Sequence, residues 1–350
     1  MVTLQHITLQ VTTRSIDQLN IGLMLFSCLL AFLFPFQLFL FSFVVLGPLH
    51  YFTEIPWLHG KKYYTTGKYD YVMLIVLCAS IATVHYFYPK MNSGSGDIFR
   101  LLASLAFVAF FGALIMTAVK KMWQKIVALI FIGVSSFLFS QLDFFGMIFA
   151  SFIPTIIHVY LFTGCFILYG ALRHKSATGI ASLFIFALCT YLIFAITPDP
   201  QLDRSLSKYI KDSYQYFAGL NFDLMNVLGL QQVNAQTQGI SNILFNSNAG
   251  IIIMRLIAFS YTYHFLNWFS KTSIIKWHLI PKKSLAIIII LWLASLGLYA
   301  YNFYIGLQVL YLLSLLHVVL EFPLNHRTFI GIGQEIKSIF IKRAAITANA

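Results

Sequence analysis

Charged side chains are scarce in this chain of 350 residues, because Asp, Glu, Lys and Arg together make up only 10% of it. A soluble domain usually carries about a quarter charged residues, so the composition excludes a soluble enzyme, a disordered protein and a nucleic-acid-binding module. The charges are also unequal in sign, with 23 Lys and Arg against 11 Asp and Glu. In a chain this apolar, a basic excess is typical of cytoplasmic loops and predicts no nucleic-acid partner.

Several motifs of soluble enzymes are also absent. No Gly-rich phosphate loop, GxSxG elbow or CxxC pair occurs. The four cysteines lie inside apolar runs, which indicates packing residues rather than a disulfide framework. The first 20 residues lack the basic start and the cleavage site of a signal peptide, so we expect the first apolar run to remain as a helix.

Apolar residues are abundant: 59% of the chain is hydrophobic and its mean hydropathy is +0.80. The apolar runs are about 20 residues long, which suits membrane-crossing helices rather than barrel strands. We therefore predict an all-α, polytopic transmembrane helical bundle that forms one integral membrane domain over 1–350. The ten predicted spans are 20–34, 37–53, 70–88, 100–119, 122–141, 145–172, 177–197, 249–269, 284–304 and 306–322.

The distribution of Lys and Arg predicts the orientation of these spans. With the N-terminus inside, 17 of the 23 basic residues lie in inside segments and five in outside segments, while Arg255 lies within a span. This bias favours an even number of spans with both termini cytoplasmic, and residues 327–350 then form a cytoplasmic basic tail. We expect an integral protein of the bacterial inner membrane, and the sequence leaves its oligomeric state open.

One long segment interrupts the pattern of spans. Residues 198–248 lie between the seventh and eighth spans, begin with Pro198 and end in a stretch rich in Asn, Gln and Ser. The topology places this insertion outside the membrane, where we expect one or two helices at the interface. A plain connecting loop and a lid over an opening to the lipid are the alternatives.

Four histidines fall within predicted spans that all run in the same direction. They are His50, His158, His264 and His317, on the second, sixth, eighth and tenth spans. Ionisable groups inside a bilayer are costly, so they indicate a functional site. Four imidazoles at similar depth on parallel helices are expected to meet in the middle of the bundle, although each could instead be a hydrogen-bonded packing residue.

A repeated motif surrounds two of these histidines. His50 and His317 each begin a copy of H-x3-E-x-P-x2-H, which adds Glu54 and His59 in the first copy and Glu321 and His326 in the second. Residues four apart share one face of a helix. Each Glu can therefore support its own histidine or accept from a histidine on a neighbouring helix. The proline two residues later favours the end of the helix, which places His59 and His326 at the interface.

Imidazole ligands suit iron, copper and zinc, and they need hydrogen-bond acceptors behind them. We predict a mononuclear non-haem Fe(II) site held by His50, His158, His264 and His317, with Glu54 and Glu321 as orienting groups. The same residues also allow a dinuclear site in which both glutamates ligate, and His59 and His326 are possible additional ligands. The side chains that flank His264 are predicted to line a substrate pocket: Tyr261, Tyr263, Asn267 and Trp268.

The segment Gly47-Pro48-Leu49-His50, followed by Glu54, resembles the early Pro-His segment of the Brp/Blh family of membrane-embedded β-carotene 15,15'-dioxygenases. His158, His264 and His317 follow in an order similar to that of the family's later histidines. The resemblance implies a helical bundle that holds iron with histidines and cleaves β-carotene to retinal. The chain departs from the family in having Glu54 in place of Asp, Trp268 in place of a second histidine, and the insertion over 198–248.

These observations favour an oxygenase that uses O2 to attack a long apolar, carotenoid-like lipid entering from the bilayer. A transporter that relays protons or binds a cation through His and Glu is a second hypothesis. A membrane desaturase or hydroxylase is a third, although its HxxxH and HxxHH boxes are absent. A multi-helix cytochrome and a structural subunit also remain open.

Overall fold

The structure, a computed structural model, describes residues 13–61, 67–87, 95–198, 206–230, 239–271 and 280–348. Every regular element within these ranges is helical. The helices are α1 (Thr13–Leu33), α2 (Pro35–Phe41), α3 (Gly47–Lys61), α4 (Asp70–Phe87), α5 (Ser95–Ala118), α6 (Met122–Phe139), α7 (Asp143–Gly146), α8 (Thr163–His174), α9 (Ala177–Ala195), α10 (Lys208–Tyr214), α11 (Ala218–Val227), α12 (Ile240–Asn246), α13 (Asn248–Ser270), α14 (Lys282–Tyr301) and α15 (Phe303–Ala348). Two π-helical stretches join neighbouring helices: Ser42–Leu46 leads into α3, and Met147–Phe162 leads into α8.

Ten helical stretches in these ranges are long and apolar enough to cross a membrane, and each coincides with one predicted span. Two of them are composite, because Pro35–Lys61 and Phe144–His174 each contain a π-helical stretch. The prediction of an all-α bundle with ten helices of membrane-crossing length is therefore confirmed. The orientation of the spans and the cytoplasmic position of the termini stay predictions.

Helix α13 lies at the centre of the bundle. Every residue from Ala249 to Phe265 is buried, whereas α6 buries only Lys125 and Ser136. The start of α13 packs tightly against α12, since a Cβ on Gly250 would lie within 2.5 Å of the carbonyl oxygens of Ile243 and Leu244. Only glycine allows this approach of two backbones. Helix α13 thus presents side chains to the interior on all sides.

The two prolines of the repeated motif do not end their helices, contrary to the sequence-based expectation. Helix α3 continues through Pro56 to Lys61, and α15 continues through Pro323 to Ala348. A proline removes one backbone hydrogen bond, while a helix end leaves four carbonyl groups without intrahelical partners. The loss of one bond is the smaller of these two penalties, so the helix continues. The region predicted as a basic tail is accordingly the last part of a helix.

The insertion over 198–248 forms three short helices, α10, α11 and α12; residues 199–205 and 231–238 lie outside the described residues. The insertion packs into the main core and does not lie only at the surface, because Tyr214, Met225 and Ile243 are completely buried. The ring of Tyr214 contacts Phe36 edge-on, with centroids 5.1 Å apart. The insertion is therefore part of the packed core, whereas the sequence predicted one or two helices at the interface.

Candidate metal centre

The four histidines of the predicted spans come from four different parts of the chain. His50 lies on α3, His158 on the π-helical stretch before α8, His264 on α13 and His317 on α15. All four side chains are buried, with exposed fractions between 1% and 7%. The helices therefore deliver four imidazoles to one water-poor region of the interior.

The imidazole rings form a closed cycle. The centroid of His50 lies 5.0 Å from that of His264 and 5.3 Å from that of His317. The centroid of His158 lies 4.8 Å from that of His264 and 5.1 Å from that of His317. The rings meet at steep angles, between 63° and 88°. Each of the four rings therefore packs against two of the others.

Two sets of potential ligand atoms follow from this packing. One atom each from His50, His158 and His264 lie within 4.8 Å of one another, and so do atoms from His50, Glu54 and His317. Ligands about 2 Å from one ion lie at most about 4 Å apart, so a small contraction brings either set to bonding distance. His50 belongs to both sets, so either metal site would need it as a ligand.

Both motif glutamates lie against a histidine. Oε2 of Glu54 lies 2.9 Å from Nε2 of His50, and Oε2 of Glu321 lies 3.3 Å from Nδ1 of His158. The two carboxylates are almost completely buried. Carboxylates in this position fix the orientation of an imidazole and raise its basicity as a ligand.

The nitrogen atoms of the cluster are suited to a metal ion. Both ring nitrogens of His50 and His158, and Nε2 of His264, make no hydrogen bond within the described part of the chain. The carboxylates approach two of them without forming a regular hydrogen bond. Each unsatisfied buried polar group costs about 1–3 kcal/mol. A metal ion would satisfy several of these nitrogens at once, so the donor set fits one.

Two supporting contacts were not predicted from the sequence. The hydroxyl of Thr163 lies 2.9 Å from Nδ1 of His264, which leaves Nε2 of that ring for a ligand. Thr163 follows His158 by five residues. This spacing places both side chains on one face only in a π-helix, which was not predicted from the sequence. The indole of Trp268 packs edge-on against His50 at 5.4 Å and donates to the hydroxyl of Thr53.

A positive charge lies near the cluster. Lys271 directly follows α13, and burial lowers the pKa of its ammonium group to about 8, while the charges of Glu321 and Asp17 act in the opposite direction. The carboxylate of Glu321, which lies against His158, therefore has the ammonium group of Lys271 in its surroundings.

The structure separates His59 and His326 from the cluster. Each lies nine residues beyond its motif histidine, which corresponds to about 13 Å along the helix. Both side chains are exposed, and the ring of His59 packs on Tyr71 with centroids 5.9 Å apart. Neither belongs to the ligand groups found among the described residues.

A cavity of about 420 Å³ adjoins the histidines, and His158 and His317 form part of its wall. Of the four residues predicted to form a substrate pocket, Tyr261 lines this cavity. Tyr263 packs on Phe186 and Phe259 away from it, Asn267 is buried in the core, and Trp268 lies behind His50. Most of the remaining wall is aromatic or aliphatic and comes from the second, fourth, sixth and tenth spans and from the insertion around α11.

The fold and the site define a class: a membrane-type helical bundle with a buried histidine cluster that could bind a metal ion. No protein-family model, no curated protein and no solved structure matches this chain.

Proposed function

We propose that this protein is a membrane-embedded, iron-dependent oxygenase that cleaves a long apolar lipid of the polyene type. The observation that carries the proposal is the junction of the cavity with the cluster, since His158 and His317 belong to both. An apolar cavity that reaches a buried group of imidazoles places a lipid chain beside the candidate metal ligands.

The donor set supports iron as the metal. Neutral imidazoles with carboxylates beside them bind Fe(II), although copper and zinc also accept imidazole. The resemblance to membrane β-carotene dioxygenases favours Fe(II) among these. When bound, iron would supply the activation of O2 that oxidative cleavage of a carbon–carbon double bond requires. Both atoms of O2 then end in two carbonyl products, so the overall reaction needs no external reductant.

The side chains of the protein would bind and orient the substrate. Tyr261, Phe265 and Tyr299 line the cavity and offer flat apolar surfaces against which a conjugated chain can pack. The buried aromatic walls exclude water, which limits side reactions. Thr163, Glu54 and Glu321 would hold the imidazoles in fixed orientations, so that the geometry of the centre is set before the substrate enters.

Metal analysis and product analysis of the purified protein test this proposal. We expect about one iron per chain, consumption of O2 with β-carotene or a related polyene, and incorporation of ¹⁸O from ¹⁸O2 into both carbonyl products. His158→Ala and His264→Ala should lose iron and activity while they elute as folded protein. His59→Ala is the matched control, because His59 is exposed and should be dispensable.

Two results would count against an iron-dependent oxygenase. Folded wild-type protein that contains no stoichiometric metal, even after loading with Fe(II), would contradict the proposal. Transport of protons or cations that survives complete removal of metal would favour a carrier in its place.

A further inference from the structure

The cavity has a second polar region at a distance from the histidines. Its wall includes Ser151, seven residues before His158, and Tyr311, six residues before His317. Six residues of α-helix correspond to about 9 Å. The cavity therefore extends about two helical turns from the cluster to this polar region.

An acid and an imidazole complete this region. Asp223, from α11 of the insertion, also lines the cavity and accepts a hydrogen bond from Ser151. His85 stacks on Tyr311 with centroids 4.3 Å apart, and its Nδ1 lies 3.4 Å from the side-chain oxygen of Gln308. Asp223 is the one acidic residue among the described residues of the wall, and no Lys or Arg occurs among them.

A carboxylate at the end of an apolar cavity requires hydrogen-bond donors. Burial raises the pKa of Asp223, and the hydrogen bond from Ser151 acts in the opposite direction. A carboxylate has about four acceptor positions, and Ser151 fills one of them. The described wall of the cavity contains no Lys or Arg, so a donor on the ligand would meet an acceptor with unused capacity.

We propose that the cavity binds an apolar lipid with a terminal hydroxyl group, which donates a hydrogen bond to Asp223 while the chain extends to the histidine cluster. This inference deepens the proposed oxygenase function and relies on it only for the reaction at the histidine end. The bond that is cleaved then lies within the chain, away from the hydroxyl group. The substrate class is an alcohol rather than a pure hydrocarbon.

A binding experiment that needs no metal tests the inference. The probes are conjugated octadecatetraen-1-ol, its methyl ether and the corresponding primary amine, and energy transfer from tryptophan to the tetraene reports binding in nanodiscs. We expect the alcohol to bind wild-type protein about tenfold more tightly than the methyl ether, because the ether has no donor. Asp223→Leu should remove this preference. Asp212→Leu, which changes an exposed acid on α10 of the same insertion, should retain it.

The outcomes separate this inference from the proposed function. Equal binding of the alcohol and the ether, or a preference that survives in Asp223→Leu, overturns the inference, whatever the metal content. Tighter binding of the amine than of the alcohol overturns the assignment of a hydroxyl group. His317→Ala should keep the preference for the alcohol even if it loses metal. The binding comparison can therefore be interpreted even when the metal centre fails.

Discussion

In the first copy of the repeated motif, Glu54 lies 2.9 Å from its own His50, whereas in the second copy Glu321 lies 3.3 Å from His158 on another span. The spacing of the two copies is identical, and in both the glutamate is one helical turn from its histidine. The two glutamates have different partners because different rings lie next to them. His158 offers its ring to Glu321, while His317 contacts the rings of His50 and His158.

One local sequence pattern therefore serves two structural purposes in this molecule. In α3 the motif supports a histidine from within a helix, and Glu54 itself belongs to a group that could hold a metal. In α15 the motif links two spans, because Glu321 reaches across to the π-helical stretch. Sequence spacing determines which face the residues share, but the partner depends on the packing of helices that are distant in sequence.

The largest difference between the two copies of the motif is expected when their first histidines, His50 and His317, are replaced. His50 belongs to both ligand groups, so we expect His50→Ala to reduce bound iron from about one equivalent to almost none. His317→Ala leaves His50, His158 and His264 in place, so it should retain iron with weakened affinity. Metal analysis after size-exclusion chromatography measures both. Equal and complete loss of iron in the two folded variants would contradict this distinction between the copies.

Replacement of the glutamates should have a smaller effect. Loss of a group that orients a metal ligand typically weakens metal affinity by about 10–100-fold. We expect Glu54→Gln to lie at the upper end of this range, because Glu54 can also ligate, and Glu321→Gln at the lower end. Metal titration gives the affinities.

Selective ¹⁵N-histidine NMR identifies the ring that each glutamate supports. Glu54→Gln should mainly shift the signals of His50, and Glu321→Gln those of His158. A shift of the His317 signals alone in Glu321→Gln would show that the second copy supports its own histidine, as the first does.

The sequence was sufficient for the gross architecture. Long apolar runs can satisfy their backbone only as helices in a bilayer, so the ten membrane-length helices could be read from composition and run length. The sequence did not reveal which helices form the interior. Helices α6 and α13 are both apolar, yet α13 is buried throughout its length and α6 is mostly exposed. Because lipid tails are as apolar as a protein core, hydrophobicity does not distinguish the two environments.

The candidate site could be predicted only in part, for a related reason. Histidines and glutamates are rare in membrane spans, so His50, His158, His264 and His317 were noticeable. Thr163, Ser151 and Tyr311 are ordinary in such helices, and their proximity to the site depends on tertiary packing and on a π-helical stretch. Asp223 lies on an insertion whose packing over the cavity has no sequence signature.

The smallest effects are expected when the prolines of the two motif copies are replaced, and these effects concern stability. The two prolines differ in burial. Pro56 is exposed, so Pro56→Ala should restore a backbone donor to Phe52 and raise stability by about 1 kcal/mol. Pro323 is buried, so in Pro323→Ala the same gain at Val319 is offset by lost packing of the ring, and the net change should be near zero. Thermal unfolding in detergent measures the difference, and iron content should stay unchanged in both. A loss of iron in Pro323→Ala would mean that Pro323 itself helps to place Glu321 against His158.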